Sequence, residues 1–355
     1  MDIKEINRQI KPAFEDARLA SEQKWDGIAK PLKGLGYLEE MVTKIAALTG
    51  DVNVSLKKRC VLVTCADNGV VAEGVTQTDS SVTAIMAGKI RDHMSSVCLM
   101  ARTINVDPVS IDAGMLVRVP GTVDMHVADG TGNIAKGPAM SREQALQAIE
   151  NGISLVKTYK DKGYDIIATG EMGIGNTTTS SAATAVLTGL PVTVTTGRGA
   201  GLSNEGLERK IKVIEKAIEV NRPDRDDPLD ILAKLGGFDI ATMAGIYIGG
   251  ALYRVPVVID GLISSAAALI AKRLCPGSII SMIPSHTSAE PAAVYIMEEL
   301  GLKPPVNAGL KLGEGTGAMC MISILDMALS VYNDSATFAN AGVEQYTPFD
   351  EEETK

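Results

Sequence analysis

Six short apolar runs set the framework of this chain: Cys60–Cys65, Val106–Gly114, Asp165–Thr169, Val192–Thr196, Val255–Gly261 and Ser278–Pro284. Each is brief and β-rich, and helix-forming sequence alternates with them, for example from near Ser81. That alternation is the pattern of a parallel sheet with helices on both faces. Five of the runs end in small loops: CADNG, IDAG, TGEMGIGN, TTGRGAGL and IDG. In open parallel sheets, ligands sit beyond the carboxyl ends of the strands. Glycines and carboxylates gathered at that one end imply a single site built from many loops.

At 355 residues the chain exceeds the usual single domain, so one large domain with a smaller satellite is expected. The first fifty residues read as helices, the last of them ending at Gly50, and the tail Thr347–Lys355 is acidic and expected to fray. A net charge of −9 without any Lys/Arg run argues against a nucleic-acid partner. The opening MDIKEINRQIKPAFEDARLA has no apolar signal core, and apolar runs are broken by Gly or charge well short of the roughly 18 residues of a membrane span. Five scattered cysteines without a CxxC pair fit a reduced, cytoplasmic chain, and three separated histidines speak against a metal site.

The segment GEMGIGNTTTSSA, residues 170–182, follows the third run directly. Glycines opening into a Ser/Thr-rich helix leave N–H groups at a helix N-terminus, where backbone donors and dipole favour an anion. The alternative is a tight strand-to-helix turn and nothing more. The spacing matches neither a dinucleotide fingerprint nor a Walker loop. TTGRGAGLSNEGLERK adds glycines with Arg198 and Lys210, which suits one phosphomonoester better than a pyrophosphate. IPSHTSAEPA reads as a helix start capped by Ser285 or Ser288, which leaves a phosphate contact open; its lone His286 reads as structural. In KLGEGTGAMC, Glu314 is either an exposed loop residue or an acid that flanking glycines allow into a cleft.

Taken together, ADNGVVAEGV, IDAG, TGNIAKGPAMS, GEMGIGNTT, KLGGFDIATMAG, IDGLISSAAAL, IPSHTSAE and KLGEGTGA resemble nicotinate-nucleotide–dimethylbenzimidazole phosphoribosyltransferases. The resemblance runs from WDGIAKPLKGLGYLEE to the helix after Glu314, nearly the whole chain. It implies a Rossmann-like parallel sheet over residues 56–324, with a small helical domain from residues 1–55 and 325–355. It also implies transfer of phosphoribose from nicotinate mononucleotide to an aromatic base, giving an α-ribotide and nicotinate for cobamide synthesis, with no cofactor or metal.

By the same resemblance Glu314 is the general base. The leaving pyridinium is already cationic, so only the incoming base has a proton to lose, and one carboxylate suffices. Glu171 is implied at the ribose or as an assistant to the base. Gly173, Gly175, Asn176, Thr177, Gly199, Lys210 and Ser288 are implied at phosphate and ribose, and Thr78, Asp79, Met86 and Leu312 at the aromatic base. Users of dimethylbenzimidazole in the family commonly carry His, Ser, Pro and Gln where this chain has Asn68, Thr78, Asp79 and Met86. Replacing an amide by a thioether leaves a softer, apolar wall, which points towards phenols such as p-cresol; neutral drift is the alternative. The family's usual form is a homodimer, and some relatives pair two homologous subunits, so a weakly active partner subunit is the second reading.

Overall fold

The computed structural model describes residues 2–347. Six strands, β1 (Arg59–Ala66), β2 (Val106–Gly114), β3 (Val123–Asp124), β4 (Ile166–Met172), β5 (Val257–Ile259) and β6 (Met282–Pro284), form one sheet in the order β3-β2-β1-β4-β5-β6. Every neighbouring pair is parallel. β1 is central, and Cys60–Ala66 are all buried, which is why its sequence is continuously apolar rather than alternating. The helices Ser81–Arg91 and Phe238–Tyr253 each touch β1, β2 and β4. The latter is buried from Phe238 through Ala251.

From β1 the chain builds outward through β2 and β3, then returns to β4 on the other side. The crevice of a doubly wound sheet opens where the order reverses, here between β1 and β4. Thr64 of β1 lies opposite Glu171 of β4, and Cys65 opposite Met172. The register therefore delivers Glu171 to that crevice.

Three elements differ from the sequence expectation. Val192–Thr195 is a one-turn helix, not a strand. It packs against the helices Asn176–Thr188 and Asn204–Asn221, and the Thr195 hydroxyl donates to the Ser181 carbonyl at 3.3 Å. Packing against helices has overridden the β-preference of a Val/Thr run. The sixth run is a strand only from Met282, because Pro276–Ser281 form a 3-10 turn. The sheet keeps six strands through Val123–Asp124, an edge pair too short to show a period.

The described backbone divides into two compact units. One comprises Leu56–Met321 with the N-terminal residues up to Lys11; the other comprises Pro12–Ser55 with the residues from Ile322 on. The opening helix Ile3–Gln9 thus sides with the α/β unit, not with the helical domain expected from residues 1–55. Ile3, Ile6 and Ile10 pack against that unit's core, and the Cys275 thiol donates to the Ile3 carbonyl at 3.7 Å. The smaller unit centres on Trp25 and Tyr332, whose rings lie 4.7 Å apart, with the Tyr332 hydroxyl donating to Ser21 at 3.0 Å. The acidic tail beyond Thr347 lies outside the described residues.

Among the described residues one helix, Thr316–Asp334, is long and apolar enough by length and composition to cross a membrane. The sequence expectation holds no such run, because Asp326 interrupts it. Its buried residues Ala318, Met321, Leu325, Ala328 and Tyr332 recur at three- and four-residue intervals. That is the stripe of an amphipathic core helix.

Candidate active site

At the crevice, Glu171 is the last residue but one of β4, and the chain turns through Gly173 and Gly175 into the helix Asn176–Thr188. Gly175 precedes that helix at φ +94°, and no side chain caps it. The Asn176 amide donates to the Glu171 carboxylate and, at 3.0 Å, to Asp239. Asp239 opens the buried helix after Gly237 and is itself fully buried. Burial pushes the Glu171 carboxyl up to about 8, against the Asn176 hydrogen bond and with help from the charges of Asp239, Asp260 and Glu314. Burial likewise raises Asp239, to about 6. Glu171 is therefore largely protonated at neutral pH.

Glu314 approaches the same wall from a loop in left-handed backbone. Gly313, Glu314 and Gly315 have φ of +87°, +60° and +101°. Flanking glycines make this run accessible, and holding a glutamate there is the strained step. Gly313 lies against the Glu171 carboxylate, so a side chain there would have to push that carboxylate aside, and its φ of +87° disfavours one in any case. The Glu314 side chain is buried and its Oε2 accepts from the Val97 N–H at 3.2 Å. Val97 lies in the first turn of the helix Ser96–Thr103, whose N-cap Ser95 makes no side-chain cap, so Glu314 fills the role from across the fold.

Asp260, just beyond β5, fixes this loop. Its carboxylate accepts from the N–H groups of Gly315, Gly317 and Ala318 at 3.0, 2.8 and 3.1 Å, at the start of the helix Thr316–Asp334. Burial raises its affinity for a proton, and the adjoining His286 opposes that; burial lowers His286, and Asp260 opposes that in turn. The His286 ring fills the space beside Gly317, and its Nδ1 lies 3.0 Å from the Ser285 hydroxyl.

The glycine loop before the helix Asn204–Asn221 closes the other side. Arg198 is committed locally, donating to the Leu202 carbonyl at 2.8 Å and to Asn204. The Gly199 N–H donates to Glu290 at 3.0 Å. Lys210 is fully buried and donates to the Thr177 hydroxyl at 2.9 Å and the Gly197 carbonyl at 3.1 Å. Burial lowers it to about 8, while Glu290 opposes the shift. The segment around Ser288 is a loop, not the capped helix start the sequence suggested. The helix begins at Ala292 after Pro291, without a side-chain cap, and the Ser288 hydroxyl accepts from the Glu290 N–H at 3.3 Å.

These elements enclose a cavity of about 220 Å³. Glu171, Gly173, Gly175, Asn176 and Thr177 line one side of it, Gly199 and Ser288 another, and Thr78, Leu312 and Glu314 complete it. Three expected residues stay off its surface. Lys210 stands behind Thr177, Met86 is half-buried on the helix Ser81–Arg91, and exposed Asp79 accepts from the Ser81 N–H at 2.9 Å beside a separate cavity. Asp239, Asp260 and Glu290 were not singled out from sequence. Only their positions, Asp260 beside Gly261, Asp239 after Gly-Gly-Phe and Glu290 after Ser-Ala, hinted at them. Among the described residues no group of three or more His, Cys, Asp or Glu is placed to hold a metal ion.

Fold and sequence together define the class, for a family profile described as phosphoribosyltransferase matches residues 10–343. A nicotinate-nucleotide–dimethylbenzimidazole phosphoribosyltransferase of Clostridium acetobutylicum is 43% identical over 350 residues, 98% of this chain and 99% of that protein. The enzyme of the same name from Acetivibrio thermocellus is 46% identical over 329 residues, covering 92% and 94%. The crystal structure of CobT from Thermus thermophilus superimposes with a TM-score of 0.88 at 36% identity, covering 93% of this chain and 100% of that one. The chain belongs to the nicotinate-nucleotide–dimethylbenzimidazole phosphoribosyltransferase family, and is a pentosyltransferase.

Proposed function

We propose that the cavity binds nicotinate mononucleotide and transfers its phosphoribosyl group to an aromatic base for a cobamide lower ligand. The phosphate lies towards Gly173–Thr177, Gly199 and Ser288, the ribose at Glu171, and the base between Thr78, Leu312 and Glu314. The C1–nitrogen bond of the nucleotide breaks with its electron pair going to the pyridine nitrogen, which neutralises the cation. The base attacks C1 and gives its proton to Glu314. Glu171, protonated near neutral pH, donates a hydrogen bond to the sugar and does not compete for that proton.

The observation that carries this reading is the pairing of the two glutamates in one cavity wall with Gly313 pressed against Glu171. The acceptor is a benzimidazole or a phenol; the thioether of Met86 where an amide is common supports the phenol by sequence alone, because Met86 stands off the cavity surface. Exposed apolar side chains, Ile85, Met94, Leu99, Leu116 and Val117 among them, support assembly as a dimer, with an identical or a homologous subunit. The five free cysteines support a reducing, cytoplasmic setting. The test is incubation with nicotinate mononucleotide and a panel of benzimidazoles and phenols, alone and with any homologous subunit, products being identified by mass. Absence of an α-ribotide under every condition would overturn it.

A further inference from the structure

Glu290 is buried in the cavity wall with no cation bonded to it among the described residues. Its Oε1 accepts the N–H of Gly199, a residue in left-handed backbone at φ +54°. Its Oε2 is buried and has no hydrogen-bond partner. The carboxylate lies against Gly197, where no side chain would fit, and its charge acts on buried Lys210. Thr177, Gly199 and Ser288 share the cavity with it. A half-satisfied buried carboxylate is unfavourable, and it stands where the glycine loop presents its donor.

We propose that Glu290 is an internal occupant of the phosphate subsite that an incoming anion must displace. This rests on the reading above that the nucleotide phosphate binds at this loop. One N–H cannot serve two anions, and a phosphate beside a retained carboxylate meets like charge in a poorly screened site. Inorganic phosphate, having no other contacts, faces that opposition unaided. The nucleotide offsets it through its ribose and ring. Glu290 thus keeps free phosphate out of a site that must accept a phosphate ester.

Calorimetric titrations with inorganic phosphate, nicotinate mononucleotide and the nicotinate nucleoside test this on the wild type, Glu290→Gln, Glu290→Ala and Glu290→Asp. Glu290→Gln keeps the acceptor for Gly199 and removes the charge. Inorganic phosphate should bind it about tenfold tighter or more, given the penalty of juxtaposed like charges. The nucleotide should also tighten while the nucleoside stays unchanged. Glu290→Ala should move the same way, and Glu290→Asp, which keeps the charge, should stay near the wild type. Phosphate and nucleotide bound no tighter by the Gln and Ala variants would overturn the proposal while leaving the phosphate subsite intact. Glu290→Gln and Glu290→Ala variants that bind nucleotide and nucleoside equally would instead remove the subsite, and both readings with it.

Discussion

Lys210 holds Thr177 from behind the cavity wall: its ammonium donates to the Thr177 hydroxyl at 2.9 Å while the lysine itself is fully buried. If the nucleotide phosphate binds at Thr177 as proposed, the lysine charge acts on it through a positioned hydroxyl and not by direct exposure. Lys210→Met keeps the stem volume and removes that hold. The KM for nicotinate mononucleotide should rise about tenfold or more, since hydrogen bonds to charged groups contribute roughly 1.5–3 kcal/mol, while the KM for the base stays put. Burial lowers Lys210 from 10.5 to about 8, so between those values the folded chain holds fewer protons than the unfolded one. Wild-type stability from this group should accordingly rise with pH over that window, and Lys210→Met should lack the rise in thermal melts. Equal KM changes for both substrates would contradict the placement.

Glu314→Gln preserves the acceptor that meets the Val97 N–H, and so the capped helix start, but cannot take a proton. Turnover should fall about 100- to 10,000-fold with nucleotide binding retained. Near wild-type turnover in a steady-state assay would show that another group takes the proton.

Glu171 makes stability depend on pH in the opposite sense to an ordinary surface acid. Its carboxyl is raised from 4.5 to about 8, so over that window the folded state keeps a proton the unfolded state has lost. Stability from this group is complete below 4.5 and is lost as pH climbs to about 8, at no more than roughly 1.4 kcal/mol per pH unit for one proton. Glu171→Gln should flatten the decline, leaving the part due to Asp239 between 3.8 and about 6. Identical pH–melting profiles for the two proteins would refute the raised carboxyl.

The sheet was legible because its buried strands are apolar runs, and the site because glycine loops and acids recur at their carboxyl ends. Val192–Thr195 misled because a Val/Thr run has the same composition in a strand and in a turn wedged between helices. Lys210 reads in the sequence as a group touching phosphate, since nothing there distinguishes a lysine in a cavity from one behind its wall. Asp260 and Glu290 escaped because their partners, the N–H groups of Gly315, Gly317 and Ala318 and that of Gly199, lie far along the chain. Separation in sequence, not weak chemistry, hid them.

In the proposed placement, Leu312 bears on how tightly the aromatic base is held, not on which base is used. It stands two residues before Glu314, lines the cavity and is 56% exposed. A large apolar side chain left in water at a cavity wall gains when an aromatic ring covers it, at about 25 cal/mol per Å² of apolar surface removed from water. Leu312→Ala should therefore raise the KM for the aromatic base about five- to thirtyfold, matching the roughly 1–2 kcal/mol that such a face contributes. The KM for nicotinate mononucleotide should change little. The contact is non-directional, so benzimidazole and p-cresol should lose alike. Discrimination between them should instead follow a polar change: Met86 stands off the cavity surface, and Met86→Gln tests whether an amide on that helix reaches the second ring nitrogen of an azole, an atom a phenol lacks. Competition between equal dimethylbenzimidazole and p-cresol, with ribotides counted by mass, separates the two effects. A Leu312→Ala variant whose base KM matches the wild type would place the base away from Leu312, and an unchanged product ratio in Met86→Gln would leave Met86 without a part in base choice.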